Sequence, residues 1–187
     1  MRTFFSIIFA AAILLPGVAL AANLSVYPAS IVLKKGDSVG FLVHLQSNNS
    51  INTLGTAVTL PPNLTFLSVS DGTVITNWIQ RPTFDSASSS VSFAGIMPNG
   101  WSGDGVVAVV HVAAKEAGTY SLAFDKSQTE VYKNDGKATP EPVVYGVAGI
   151  NVFAHAFEPL WIAAAVVVVL ALLLVYIVRR RYKVSLV

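Results

Sequence analysis

Residues 104–113 read DGVVAVVHVA, and this stretch decides the fold of the chain. After an acidic-glycine turn, four apolar residues share one face, namely Val106, Ala108, Val110 and Val112. His111 lies on the opposite face. Alternation with a period of two is typical of a half-buried β-strand. We therefore predict a strand over residues 106–113 that covers a hydrophobic core.

Short runs of the same kind recur on both sides of this strand, and no stretch between them has sustained helical periodicity. Gly, Pro, Asn and Asp separate the runs, among which we predict strands at 38–46, 51–60 and 74–78. Residues 86–90 are rich in Ser and residues 99–105 contain three glycines, so we expect loops there. The pattern predicts an all-β domain of about nine strands in an antiparallel two-sheet sandwich.

The first 21 residues have the layout of a secretory signal peptide. Arg2 precedes an apolar run over residues 4–15, and Ala19 and Ala21 are the small residues that a signal peptidase requires. We expect cleavage between Ala21 and Ala22. The domain at 22–152 would then lie outside the cytoplasm.

A second apolar run lies near the other end of the chain. Residues 160–178 are nineteen residues without a charge, and a helix needs roughly 20 apolar residues to cross a bilayer. Four cations follow the run: Arg179, Arg180, Arg181 and Lys183. Because such cations stay on the cytoplasmic side, we expect one transmembrane helix in contact with membrane lipid. The linker 153–159 would precede it, and the tail 179–187 would be cytoplasmic.

Charge and cysteine content exclude several classes of function. Residues 22–159 hold seven cations against ten acidic residues, so their net charge is −3. Without a basic stripe, nucleic acid is not an expected partner. The chain has no cysteine, which excludes thiol catalysis and iron–sulfur clusters. The domain must be stabilised by burial alone, and about 138 residues suffice for one core.

The order of these segments resembles the cohesin domain, the receptor module of cellulosome scaffolds. The resemblance rests on residues 33–43, 51–67, 104–112 and 134–152. It implies a nine-stranded jelly-roll sandwich, a binding role without catalysis, and a protein partner such as a dockerin-like module. Pro61 stands where the family usually has aspartate. Cohesins that bind dockerin often carry Asn and Asp on the third strand, where this chain has Thr53 and Gly55.

Aromatic side chains are the best candidates for ligand binding. We predict that Trp101, Tyr120 and Tyr132 are exposed, and a coplanar row of such rings would suit sugar stacking. Trp101 is the strongest of the three because it lies among glycines, where packing partners are few. Trp78 is expected to anchor the core instead.

Catalytic and metal-binding patterns are weak. His44 and His111 lie on outward faces and are interpreted as solvated sheet residues, and His155 lies in the predicted linker. The aspartates are scattered, mostly in turns, whereas calcium needs a dense set of oxygen ligands. No Gly-x-Ser-x-Gly motif is present. We predict no enzyme activity, no metal and no cofactor.

Three Asn-x-Ser/Thr triplets fit the pattern for N-linked glycosylation: they begin at Asn23, Asn48 and Asn63. Such triplets often arise by chance in loops rich in Asn and Ser. They matter only in an organism that has the transferase.

The sequence leaves three functional hypotheses open. The first is a membrane-anchored, cell-surface, cohesin-like module that binds a protein partner. The second is polysaccharide binding through the aromatic side chains. The third is a structural subunit of an envelope assembly.

Overall fold

The computed structural model describes residues 21–154 and 165–175. The first range consists mainly of ten strands, namely β1 (Ala22–Tyr27), β2 (Ser30–Lys34), β3 (Ser38–Thr59), β4 (Leu64–Asp71), β5 (Asn77–Asp85), β6 (Ser90–Ala114), β7 (Gly118–Phe124), β8 (Glu130–Lys133), β9 (Val143–Tyr145) and β10 (Ala148–Phe153). One short 3-10 turn, Lys126–Gln128, separates β7 from β8. The predicted all-β class is confirmed for this range.

The two long strands, β3 and β6, pair antiparallel from Ser38↔Ala113 to Thr59↔Ser90. The first half of β3 also pairs with β1, β1 pairs with β9, and the second half of β6 pairs with β4. The second half of β3 pairs with β8, and the first half of β6 pairs with β5. Two layers result, β9–β1–β3–β6–β4 and β8–β3–β6–β5, and both long strands pass from one to the other.

A third group of strands closes one side of the domain. β10 pairs parallel with β2 and antiparallel with β7. β7 in turn reaches the end of β3 through the pair Val58↔Phe124. This group therefore connects the last strand of the domain to the long central strand.

One hydrophobic core lies between the layers. Phe41 and Leu45 come from the first half of β3, Leu54 from its second half and Phe93 from β6, and all four belong to a single cluster of buried residues. Because both layers bury their inner faces in this cluster, they pack as a β-sandwich.

The strand count and pairing differ from the sequence prediction of nine antiparallel strands. Ten strands are present in residues 21–154, and two pairs, β1–β9 and β2–β10, are parallel. Parallel partners are distant in the sequence, so alternation within a strand does not reveal them. Residues 86–89 form the expected turn before β6.

Two predicted breaks in the strands are wrong. Residues 99–105, expected to be a loop, continue β6, and residues 47–50 continue β3. The register between these strands shifts at Ser47/Ile51, and a bulge of this kind interrupts the period-2 pattern without ending the strand. The strand predicted at 74–78 begins only at Asn77, because residues 74–76 form an irregular connection with Val74 and Ile75 buried.

The second described range, residues 165–175, is α-helical. Its large apolar side chains are exposed, from 50% at Leu173 to 67% at Leu174. The predicted span 160–178 extends beyond this range at both ends. Its remaining residues, the signal-peptide residues 1–20, the linker from residue 155 and the cationic tail all lie outside the described residues. Among those described, no helix has the length and hydropathy that a bilayer crossing requires.

Candidate functional site

The outward side of β8–β3–β6–β5 is the best candidate for a binding surface, and we call it the four-strand face. Its centre is formed by Gly55 and Ala94, which lie opposite each other in the β3–β6 ladder. A Cβ placed on Gly55 would lie 3.7 Å from the Ala94 Cβ, which is ordinary contact. Thr53 and Ile96 form the next outward pair. Small side chains thus keep the centre of the face low and uncharged.

Larger side chains surround this centre. On β5, Ile79 lies at a register shift and is 70% exposed. Next to it, the Gln80 Nε2 donates a hydrogen bond of 2.8 Å to the Ser92 Oγ. On β8, Tyr132 lies opposite Thr53. An apolar centre with a polar rim is the usual anatomy of a protein–protein interface.

The three aromatic residues predicted to bind ligand do not lie together. Tyr132 is half-buried on the four-strand face. Trp101 lies opposite the fully buried Ile51 and packs against the core. Tyr120 lies opposite the buried Ile150 and also packs against the core. These positions do not form the coplanar row of exposed rings that sugar stacking requires.

The hydroxyl of Tyr120 is engaged locally, since its Oη donates a hydrogen bond of 2.6 Å to the carbonyl of Ala117. Trp78, predicted to anchor the core, is half-buried and meets Phe93 edge-to-face with ring centroids 6.4 Å apart. Trp78 and Phe93 thus support the four-strand face from its inner side.

The outward side of β9–β1–β3–β6–β4 carries both described histidines, and we call it the histidine face. The His44 Nδ1 lies 3.0 Å from the Asp104 Oδ1, and Tyr27 meets the His44 ring edge-on at 5.1 Å. His111 lies beside Gly40, four residues along β3 from His44. That spacing is about 13 Å, too far for a shared metal. Within residues 21–154 and 165–175, no three metal-ligating side chains cluster.

A cavity of about 190 Å³ lies beside β8, with Tyr132 and Glu141 among its lining residues. The Glu141 side chain is fully buried. Its Oε1 accepts a hydrogen bond of 2.8 Å from the Asn49 Nδ2, and its Oε2 lies 3.3 Å from the Lys133 Nζ. Typical ligand pockets measure roughly 300–1,000 Å³. This smaller cavity therefore fits a structural ion pair better than a ligand site.

Three aspartates with lowered pKa values adjoin the edge strands of the four-strand face: Asp85 ends β5, Asp125 precedes β8 and Asp135 follows it. The pKa of Asp125 is lowered chiefly by the Ser127 hydroxyl, which donates to its Oδ1 at 2.6 Å, and then by the Ser127 backbone N–H. Hydrogen bonds to a charged carboxylate favour the charged form and so lower its pKa. The same hydrogen bonds hold the turns in place.

Ala94, Ile96 and Ile79 were not singled out from the sequence. The signal that could have found the first two is the alternation within residues 90–96, in which small or polar residues oppose Val91 and Phe93. Ile79 gave no such signal, because the bulge beside it removes β5 from the regular period. At the predicted cleavage site, β1 begins at Ala22, whose N–H donates to the carbonyl of Pro142 at 2.8 Å.

No protein-family model matches the chain, and no curated protein is significantly similar in sequence. Solved structures are similar, however. A non-cellulosomal cohesin from the hyperthermophilic archaeon Archaeoglobus fulgidus is 14% identical, over 72% of this chain and 92% of that one, with a TM-score of 0.59. The domain has a cohesin-like fold.

Two bacterial cohesins support this assignment. The seventh ScaB type I cohesin from Pseudobacteroides cellulosolvens is 18% identical, over 74% of this chain and 96% of that one, with a TM-score of 0.60. The cohesin of a cohesin–dockerin complex from Clostridium thermocellum is 17% identical, over 72% and 96%, with a TM-score of 0.57. The resemblance identified from the sequence is thus confirmed for the fold of the cohesin-like domain.

Proposed function

We propose that the protein is a membrane-anchored, non-catalytic module that binds a protein partner on the four-strand face. The observation that carries this proposal is the flat centre at Gly55 and Ala94, with the exposed Ile79 beside it. An exposed apolar area with a polar rim is an unfavourable surface for a monomer in water, and it commonly marks an interface.

The kind of partner is suggested by the similar structures. The Clostridium thermocellum structure is a complex of a type I cohesin with a dockerin. We therefore propose a dockerin-like module as the partner. Thr53 and Gly55, at the positions where dockerin-binding cohesins often carry Asn and Asp, would leave fewer polar contacts on this face. The partner's contact surface should accordingly be more apolar.

A photo-crosslinking experiment tests the partner and the face together. A photoreactive residue replaces Ile79 in the full-length protein in native membranes, with a matched probe at Ser70, which is exposed on β4 of the other layer. We expect a discrete protein adduct from position 79 alone. Equal adducts from both positions would contradict the proposal.

Substitution of Ala94 by Arg sharpens the same test, because it places a long charged side chain at the centre of the face without entering the core. We expect the adduct from position 79 to fall at least tenfold. Ser70→Arg is the control and should leave the adduct unchanged. Purified dockerin modules, including that of the Clostridium thermocellum complex, then serve as direct probes in titrations with the full chain in detergent.

The membrane anchor is the second part of the proposal. It is supported by the uncharged run at 160–178, the cations that follow it, and the exposed apolar side chains of the helix at 165–175. A helix that is apolar all round is expected to face lipid. Signal cleavage after Ala21 would place the cohesin-like domain outside the cytoplasm.

Alkaline extraction and protease accessibility test this arrangement. The full chain should stay in the membrane fraction at high pH. When the outer layers of the cells are permeabilised and protease is added from outside, the cohesin-like domain should be degraded. Replacing Leu170 and Leu173 by Arg should release the chain into the soluble fraction, because charged residues at the centre of a bilayer each cost several kcal/mol (~3). Retention of the domain after proteolysis would disprove the orientation.

A further inference from the structure

The three Asn-x-Ser/Thr triplets of the cohesin-like domain have different structural surroundings. An asparagine can receive a glycan in the folded protein only if its carboxamide and the neighbouring backbone are free to enter the active site of a transferase. Exposure and pairing therefore decide among the three triplets, although their sequence patterns are equivalent.

Asn23 lies in the interior of a layer. Its strand, β1, is paired on both sides, with Gln46 of β3 and with Val144 of β9 as its ladder partners. The side-chain Oδ1 of Asn23 is buried. The backbone around Asn23 is fixed in both ladders, so it cannot open toward a transferase unless β1 unpairs.

Asn63 lies in the turn before β4, and its carboxamide is engaged. The Asn63 Nδ2, the atom that a glycan would be attached to, donates a hydrogen bond of 2.6 Å to the Glu116 Oε2. The Asn63 carbonyl also accepts a hydrogen bond of 2.9 Å from the Lys115 N–H. Attachment here would break the contact between this turn and the end of β6.

Asn48 is exposed and lies in a gap between ladders. Toward β1 the pairing of β3 ends at Gln46↔Asn23. Toward β6 the register passes directly from Ser47↔Gly103 to Ile51↔Trp101. Asn48 therefore has no ladder partner in β1 or β6.

The bulged part of β3 that presents Asn48 has local hydrogen bonds of its own. The Ser47 Oγ accepts a hydrogen bond of 3.1 Å from the Asn49 N–H and donates one of 3.0 Å to the Asn49 carbonyl. Ser50, the hydroxyl residue of the triplet, is also exposed. The triplet is thus presented outward on the bulged part of β3, where no ladder to β1 or β6 holds Asn48.

We infer that Asn48 is the N-glycosylation site of this domain. In the transfer, the Asn48 carboxamide nitrogen bonds to the anomeric carbon of the donor sugar. The bond from that carbon to the phosphate oxygen of a polyprenyl-phosphate-linked oligosaccharide breaks, and the lipid phosphate leaves with the electron pair. The carboxamide gives up one proton. The inference deepens the proposed function, because in cells it rests on export of the domain.

Glycosylation in vitro tests the site without depending on export. The full chain in detergent is incubated with an oligosaccharyltransferase that accepts Asn-x-Ser and Asn-x-Thr and with its lipid-linked donor, and the products are mapped by mass spectrometry. We expect one glycan per chain, at Asn48, with occupancy at Asn23 and Asn63 at least tenfold lower. Short peptides of residues 20–28, 45–53 and 60–68 should all be accepted, because none of them is folded.

Variants and expression in cells complete the test. Ser50→Ala should abolish the modification while it leaves Asn48 in place, and the matched changes Ser25→Ala and Thr65→Ala should have no effect. An unmodified Asn48, or comparable occupancy at Asn63, overturns the inference. A chain that is modified in vitro but unmodified in cells with the same transferase contradicts export and leaves the site assignment intact.

Discussion

The four-strand face and the histidine face are built on the same two strands, but they use their outward positions differently. On the four-strand face the centre is formed by Gly55 and Ala94, which have no polar side-chain atoms. On the histidine face, His44 is covered by contacts from Tyr27 and Asp104. The centre of the four-strand face is thus low and apolar, whereas the histidine face carries a hydrogen-bonded imidazole ring.

The comparison shows that β3 and β6 supply the scaffold and that the outward residues decide its use. The inward residues of both halves of β3 and β6 belong to one core, so neither layer can unfold alone. The outward residues can change independently, because they contact only their neighbours on the same face. A surface can thus be altered without altering the fold.

The strongest test of this view is to remove a buried ring beneath each face. Phe41 lies under the histidine face and Phe93 under the four-strand face, and both are almost fully buried. Phe41→Ala and Phe93→Ala should each lower the free energy of unfolding by about 3–5 kcal/mol. Urea unfolding should remain a single transition in both variants. Two separate transitions would show that the layers are independent.

A smaller effect is expected from adding a methyl group at one glycine of each layer. A Cβ on Gly95 would lie 2.3 Å from the Ile75 Cγ2 and 2.9 Å from the carbonyl oxygen of Asn77. Gly95→Ala should therefore cost about 1–3 kcal/mol, as overpacking does, and displace the start of β5.

Gly40→Ala is the matched variant on the histidine face. The nearest atoms to its Cβ would be those of the His111 ring, 2.8 Å away at the Cε1, and that exposed side chain can move. Thermal unfolding should show a change within about 0.5 kcal/mol, the usual range for surface substitutions. An equal loss in both variants would contradict this difference between the two glycine sites.

The contact between His44 and Asp104 on the histidine face should contribute less to stability than the core residues. His44 and Asp104 are joined at 3.0 Å, but the Asp104 side chain is 63% exposed. Asp104→Asn should cost about 0.2–1 kcal/mol, as for other exposed pairs. It should leave partner binding on the opposite face unchanged. A loss of partner binding would place the interface on the histidine face.

The turn at Asp125, beside the four-strand face, should respond to acid with the smallest effect on overall stability. The pKa of Asp125 is lowered below its ordinary value of 3.8, chiefly by the Ser127 hydroxyl. Its contribution is therefore complete above pH 3.8 and is lost as the pH falls through the lower folded-state value. In urea unfolding between pH 5 and pH 2, Asp125→Asn should show a shallower loss of stability than the native chain, and equal slopes would contradict this assignment.

Alternation predicted the strands with regular registers and failed where bulges interrupt them. The run at 106–113 and the run at 38–46 lie in β6 and β3 as expected. Their continuation through residues 99–105 and 47–50 was missed, because a register shift resets which residues face inward. Two strands pass through both layers, and this passage places β5 and β8 at the two edges of the four-strand face. It is a property of tertiary pairing, which alternation within a strand does not reveal.

Glycine misled the interpretation of the aromatic residues. Trp101 was expected to be exposed because glycines surround it. A Cβ on Gly105, however, would lie only 3.2 Å from the Trp101 Cζ2. The absence of a side chain at Gly105 therefore leaves room for the indole ring. Tyr120 likewise lies over Gly118, where an added Cβ would be 2.5 Å from the tyrosine Oη. Glycine beside an aromatic residue can thus indicate a packing slot as well as a loop.

The parallel pairing of β10 with β2 has a mechanical consequence. A force applied at Phe153 along the axis of β10 would act on both of its ladders at once. The five ladder positions shared with β2, from Gly149↔Ser30 to Phe153↔Lys34, would all oppose the sliding of β10 at the same time. The five positions shared with β7 would do the same on the other edge. A strand loaded in this direction cannot peel off one hydrogen bond at a time. The last strand of the domain is therefore held by hydrogen bonds on both of its edges.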